Sequence, residues 1–177
     1  MRIVAVSGSL AARSSNAALL RTAHRIVPDG AELVDSVSVG DVAHFNPDLD
    51  RDGATPPAVS EFRAQIQGAA GVLIASPEYA HSLSGVLKNA LDWLVGTGEL
   101  YEKPVAVLCA SPRPTGGVYG REALERTLEA QGAIVVASAT VGVVAADKGA
   151  DELGDPDAVA TIAAALRALV TAPGRTG

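Results

Sequence analysis

Residues 7–16 read SGSLAARSSN. Seven of these ten are Ser, Gly or Ala, Arg13 is the only charge, and Asn16 closes the run. Hydroxyls at Ser7, Ser9, Ser14 and Ser15 ahead of a helix suit an anion, because the first amides of a helix have no intrahelical acceptor. Small side chains also let a phosphate approach the backbone. The same residues suit a plainer role, since Ser14 or Ser15 can cap the helix with its hydroxyl. The run matches neither G-x-G-x-x-G nor G-x-x-x-x-G-K-[ST], so neither a dinucleotide fingerprint nor a P-loop is indicated. A second stretch, SPEYAHSLSG at 76–85, offers Pro77 as a fixed turn, then Glu78, Tyr79 and His81. Tyr79 can lie against a planar ligand, or it covers a helix end while Glu78 is solvated. A third, CASPRPTGGVYG at 109–120, pairs Ser111 with Gly116 and Gly117, whose backbones admit a ligand closely. It also describes an ordinary tight loop.

What would position these groups is an alternation of short apolar strands with helices. Strands are expected at Ile3 to Val6, Glu32 to Val37, Val72 to Ala75, Val105 to Leu108 and Ile134 to Ala137, the runs of four or five residues being apolar on both faces. Helices are expected at roughly 16–27, 57–68, 84–95, 118–131 and 156–170. Asp155 should cap the last with Pro156 at its first position, and Ser84 should cap the third. Leu87, Leu91 and Leu94 form the inner stripe of that third helix. Lys88 and Asp92 make a surface i,i+4 pair, and Trp93 is expected in the core or at a subunit contact. The alternation predicts an α/β fold with a parallel, doubly wound sheet. Five strands fit the flavodoxin-like order 2-1-3-4-5, a three-layer α/β/α sandwich whose ligands sit beyond the carboxyl ends of the strands. The three stretches above follow strands one, three and four, so all should meet at that edge.

Composition narrows the partners. A chain of 177 residues, 48% hydrophobic and 19% charged, fits one globular domain over 1–177. No apolar run approaches the roughly 20 residues that span a bilayer, and the start has too short an apolar stretch for a signal peptide. Net charge of −6 and no basic cluster speak against nucleic acid. Three scattered histidines and one cysteine give no metal-ligand spacing. The single cysteine suits a reducing cytoplasm, the expected location. Cys109 itself is expected to be a buried thiol without a reaction.

Taken together, GSL followed by Ser14 and Asn16, PEY with GVLKNALDW, SP with GG ahead of a helix, and HFNPDLD after strand two resemble the NAD(P)H-dependent FMN reductase family. This flavodoxin-like group includes quinone and chromate reductases. The resemblance implies an enzyme passing hydride from NADPH or NADH to non-covalent FMN, then two electrons to a quinone, free flavin or similar small-molecule acceptor. Carried over by position, it implies that Ser9, Leu10, Ser14 and Asn16 hold the phosphate and ribityl chain, with Arg13 expected to add a charge from two positions past the family's Arg site. Pro77, Glu78 and Tyr79 would then run along the isoalloxazine, and Ser111, Gly116 and Gly117 would close the other side. It also implies a homodimer or homotetramer, with the Gly85 to Trp93 helix near a subunit contact. The cofactor carries such chemistry, so no catalytic side chain is assigned.

The chain departs from the family at several positions. Ala11 stands where Arg is frequent, with Arg13 two residues on. Ala80 replaces an Asn and His81 follows it. Arg113 and Pro114 replace glycines, and Tyr119 stands where Arg is frequent. Two other functions fit the same fold: an electron carrier that needs a partner reductase, and a flavin-free binding or regulatory module.

Overall fold

Short runs of Val, Ile, Leu and Ala that are apolar on both faces can only be satisfied by cover on two sides. In the structure, a computed structural model that describes residues 1–51, 53–112 and 116–173, they form a five-stranded parallel sheet. Its strands are β1 (Arg2–Ser7), β2 (Glu32–Asp35), β3 (Gly71–Ala75), β6 (Pro104–Ser111) and β7 (Ile134–Gly142). Their order is β2-β1-β3-β6-β7, and every pairing is parallel. Counting only these five strands, the order is the expected 2-1-3-4-5. Arg113 and Pro114, singled out above, lie outside the described residues.

Alternate strand residues divide between two cores. Val4, Val6, Val72, Ile74, Val105 and Val107 face α2 (Pro57–Gln67), α3 (Gly85–Asp92) and α4 (Val118–Ala130). Phe62, Leu87, Leu91 and Leu124 meet them there, and Trp93 is fully buried beside them. On the opposite face Ile3, Ala5, Leu73, Ala75, Ala106 and Leu108 meet α1 (Ser15–Arg25) and α5 (Pro156–Thr171). That second core is rich in alanine, which lets α1 and α5 lie close to the strands. The change of covering face between β1 and β3 is the point at which such sheets open a crevice at their carboxyl ends.

Helix ends follow the local code. Asp155 accepts from Asp157 N and Ala158 N, both at 3.1 Å, with Pro156 in the first turn of α5. Ser84 accepts from Leu87 N at 3.4 Å and caps α3. Lys88 and Asp92 form the surface pair at 2.6 Å, and Trp93 is a core residue whose Nε1 donates to Ala43 O at 2.8 Å.

Strand lengths differ from the sequence reading. β2 stops at Asp35 because it pairs only with β1, and its register runs from Arg2↔Glu32 to Ala5↔Asp35. β6 and β7 run longer because they pair with each other past the end of β3. β3 and β6 part company at Ala75↔Leu108, whereas β6 and β7 continue to Ser111↔Gly142. Residues 78–83, expected as loop, contain a hairpin of β4 (Glu78–Tyr79) and β5 (Ser82–Leu83).

Candidate functional site

The loop from β1 to α1 is organised by its own hydroxyls. Ser7 Oγ donates to Ser9 O at 3.0 Å and accepts from Ser9 N, and Ser9 Oγ accepts from Ala11 N at 3.3 Å. Ser14 N donates to Ala11 O at 3.0 Å, and Ser14 Oγ caps α1 by accepting from Ala17 N at 3.1 Å. Leu10 is exposed and lies over Gly40, where an added Cβ would meet its Cδ2 at 2.7 Å. Arg13, also exposed, donates from Nη2 to Gly149 O at 3.2 Å. Among the described residues, the amides of Leu10, Ala12, Arg13, Ser15 and Asn16 have no acceptor. Five such amides on a loop of small residues at a helix start fit a phosphate.

Pro77, Glu78 and Tyr79 lead into the β4–β5 hairpin, whose two central residues are Ala80 and His81. Their φ values are +49° and +60°. A two-residue hairpin favours positive φ at both positions, normally supplied by Asn-Gly or Asp-Gly. Neither signal is present here, which is why the hairpin was not legible. An L-residue in this region costs roughly 1–2 kcal/mol, and Asn bears it better than Ala. Ala80→Asn is therefore expected to raise stability by about 0.5–1 kcal/mol in urea titrations. Lower stability would show that the turn is not under this strain.

Gly117 begins α4 with φ +82°. An added Cβ there would lie 2.2 Å from Cys109 Sγ, so only glycine fits. Gly116 O accepts from Thr140 Oγ1 at 3.2 Å, and Ser111 is buried at the last position of β6. Burial pushes the Cys109 thiol up, and the charge of Glu78 adds to this, against smaller opposing effects of a Glu78 hydrogen bond and Arg121. The thiol is thus protonated at neutral pH and no nucleophile.

Pairwise bonds hold the three loops together. Gly8 N donates to Ala75 O at 2.8 Å, and Gly8 packs so tightly on Ser76 that a Cβ would meet its Oγ at 2.7 Å. Ser84 Oγ, the cap of α3, also donates to Gly8 O at 2.6 Å. Asn16 is buried, and its Oδ1 accepts from Ala110 N at 3.0 Å, joining the first loop to the end of β6. Glu78 Oε2 accepts from Gly120 N at 2.9 Å, placing a carboxylate on the first turn of α4. An added Cβ at Gly120 would meet Glu78 Cα at 3.0 Å, so this approach also needs glycine. Asn16 and Glu78 thus position the site through their side chains. Sequence reasoning missed the second bond of Ser84 and the part played by Gly120, although a glycine three residues into a helix was a visible signal.

The loops after β1, β3 and β6 are thus bonded together at one edge of the sheet. Residues 1–148 match the family described as NADPH-dependent FMN reductase. The chain belongs to that family. A probable NADPH:quinone oxidoreductase of Oryza sativa subsp. japonica is 38% identical over 119 residues, 66% of this chain and 59% of that protein. An NAD(P)H-dependent FMN reductase of Pseudomonas aeruginosa is 38% identical over 130 residues, 72% of this chain and 69% of that protein. A quinone reductase of Escherichia coli K12 is 34% identical over 119 residues, 66% and 63% of the two chains. The match thus spans less than two thirds of the length of the rice and Escherichia coli relatives.

Among solved structures, the flavoenzyme NAD(P)H:(acceptor) oxidoreductase of Paracoccus denitrificans has a TM-score of 0.80 at 26% identity, covering 96% of this chain and 94% of that one. A flavodoxin of Bacillus cereus has a TM-score of 0.61 at 15% identity, covering 98% and 100%, and shares the fold. This FMN reductase family member therefore has the flavodoxin-like architecture expected of it. Among the described residues no helix is long and apolar enough to cross a membrane, and no His, Cys, Asp and Glu cluster is suited to a metal ion.

Proposed function

We propose that this chain is an FMN-dependent NAD(P)H oxidoreductase that reduces a quinone, free flavin or similar small molecule. The observation that carries the reading is the open set of amides at 10–16 on a loop bound directly to the other two. When bound, FMN supplies reversible two-electron chemistry between a nicotinamide and an acceptor. The net reaction is NAD(P)H + H⁺ + quinone → NAD(P)⁺ + hydroquinone.

The protein's share is binding and orientation. Amides of Leu10, Ala12, Arg13, Ser15 and Asn16, with the Ser9 hydroxyl and the Arg13 guanidinium, would hold the phosphate and ribityl chain. Ser14 would act through its cap on α1, and Asn16 through its bond to Ala110. Pro77, Glu78 and Tyr79 would flank the ring on one side, and Ser111, Gly116 and Gly117 on the other. Glu78, engaged with Gly120 N, would keep these two sides at a constant separation. No side-chain acid or base is assigned.

Residues 1–177 would act as a single FMN-binding domain in the cytoplasm, as a homodimer or homotetramer. A groove of about 630 Å³ between α3 and α4, lined by Leu83, Val95, Ala123 and Ala130 with Lys88 and Arg126, supports a second copy as its occupant. Val95 is 62% exposed there.

Protein mixed with excess FMN and desalted is expected to keep about one FMN per chain by visible absorbance. The loaded protein should then oxidise NADPH with menadione and no partner reductase. Loss of all flavin on desalting, even after millimolar loading, would defeat the flavoenzyme reading. Retained flavin without direct NADPH oxidation would point to an electron carrier. Light scattering that returns a monomer would remove the assembly claim.

A further inference from the structure

Aromatic residues are scarce in this chain, with one Trp, three Tyr and two Phe in 177 residues. Two of the three tyrosines nevertheless stand at the candidate site, Tyr79 at 59% and Tyr119 at 54% exposure. Tyr119 is in the first turn of α4, two residues after Gly117. His81 is at the tip of the β4–β5 hairpin, two residues after Tyr79. The His81 and Tyr119 rings stack with centroids 4.6 Å apart and planes 24° from parallel.

Two things set this stack apart from chance surface contact. His81 is held at φ +60° beside Ala80 at +49° by the two-residue turn, which fixes where its ring can lie. The bond from Gly120 N to Glu78 Oε2 fixes the hairpin against the same turn that carries Tyr119. The pair therefore bridges the two loops that would flank the ring. It remains exposed, and burying exposed π-surface is what a planar partner gains by stacking.

We propose that His81 and Tyr119 form a shelf that selects planar aromatic electron acceptors, of the quinone class, over compact inorganic ones. One face of each ring is spent on the other ring, leaving outer ring surface for the acceptor. The imidazole of His81 supplies a hydrogen-bonding group able to meet a quinone oxygen. The inference rests on the oxidoreductase reading above and adds the residues that choose the acceptor.

The test uses FMN-loaded protein and the variants His81→Asn, Tyr119→Leu and Tyr119→Phe. Asn tolerates the left-handed position of His81, and Tyr119→Phe keeps the ring if Tyr119→Leu does not fold. Menadione is the planar probe and ferricyanide the compact anionic one. For His81→Asn and Tyr119→Leu, the ratio of kcat/KM for menadione to that for ferricyanide is expected to fall about tenfold. The fall should appear chiefly in KM for menadione. Titration of oxidised, FMN-loaded protein with menadione, followed by flavin difference absorbance without reductant, should show Kd raised about tenfold as well. Tyr119→Phe should stay within about threefold of the parent in both. An unchanged ratio and Kd in His81→Asn and Tyr119→Leu, with FMN retained, would overturn the shelf and leave the oxidoreductase reading standing. A parent protein that retains no FMN would overturn both.

Discussion

Gly117→Ala is expected to lower folding stability by about 3 kcal/mol and to weaken FMN retention. Alanine at φ +82° carries a backbone cost of roughly 1–2 kcal/mol. Its Cβ would also stand 2.2 Å from Cys109 Sγ and 2.9 Å from Cys109 Cβ, an overlap of the kind that costs about 1–3 kcal/mol in packed interiors. Cys109 lies in β6, paired with Thr140 of β7, so it has little room to yield. The start of α4 would have to move, taking with it the backbone that would close one side of the ring. Cys109→Ala removes the 2.2 Å contact but neither the Cβ contact nor the positive φ. Gly117→Ala/Cys109→Ala should therefore recover part of the lost stability, a coupling between touching residues that a double-mutant cycle reads directly. Urea unfolding with FMN titration of each variant checks this. Additive losses in the cycle would show that the overlap with Cys109 is not the cause.

Arg63→Ala is expected to cost about 3 kcal/mol of stability while changing FMN affinity less than threefold. Arg63 donates to Asp50 Oδ1 at 2.8 Å and to Trp93 O from Nε at 3.0 Å, and Nη2 bonds the same carbonyl. Its guanidinium lies over the Trp93 ring at 5.7 Å and approaches Glu99 Oε1 at 3.8 Å. The side chains of Arg63, Asp50 and Glu99 are only 13%, 20% and 7% exposed. Removing one member of a buried ion cluster leaves the others uncompensated, typically at about 3–5 kcal/mol. Some exposure of Asp50 and the bond from Thr97 Oγ1 to Glu99 Oε2 at 2.6 Å put this case at the lower end. Trp93 caps the far end of α3, whose other end is the Ser84 bound to Gly8. About 12 Å of helix separates them at 1.5 Å per residue, which is why affinity should hold. Unfolding in urea and FMN titration together check the claim. A loss below 1 kcal/mol, or a large loss of affinity, would contradict it.

Lys103 shows the same kind of unforeseen structural charge. Its buried ammonium donates to the carbonyls of Ile66, Gln67 and Ala69 at 2.9, 3.1 and 2.7 Å, closing the carboxyl end of α2. A lysine directly before a strand has no sequence mark of this use. The bonds depend on β6 passing beneath the end of a helix more than 30 residues earlier.

Apolar periodicity, caps and strand–helix alternation are local, and these determined the number, type and order of the five main strands and five helices. They also determined that the loops after β1, β3 and β6 would meet, since parallel strands must place those loops at one edge. Where elements end was less legible. β6 continues to Ser111 because β7 accompanies it, and β2 stops early because it has one neighbour, so both lengths depend on partners distant in sequence. The β4–β5 hairpin escaped because Ala80 and His81 carry none of the usual turn chemistry. Only the tertiary structure decided how the site residues are used. The Asn16–Ala110 bond spans 94 residues, the Ser84–Gly8 bond 76, and the Glu78–Gly120 bond 42. A hydroxyl, a carboxamide or a carboxylate in a loop can serve a ligand or the backbone equally well. The choice rests on which donor or acceptor the fold brings within about 3 Å, and no local pattern encodes that distance.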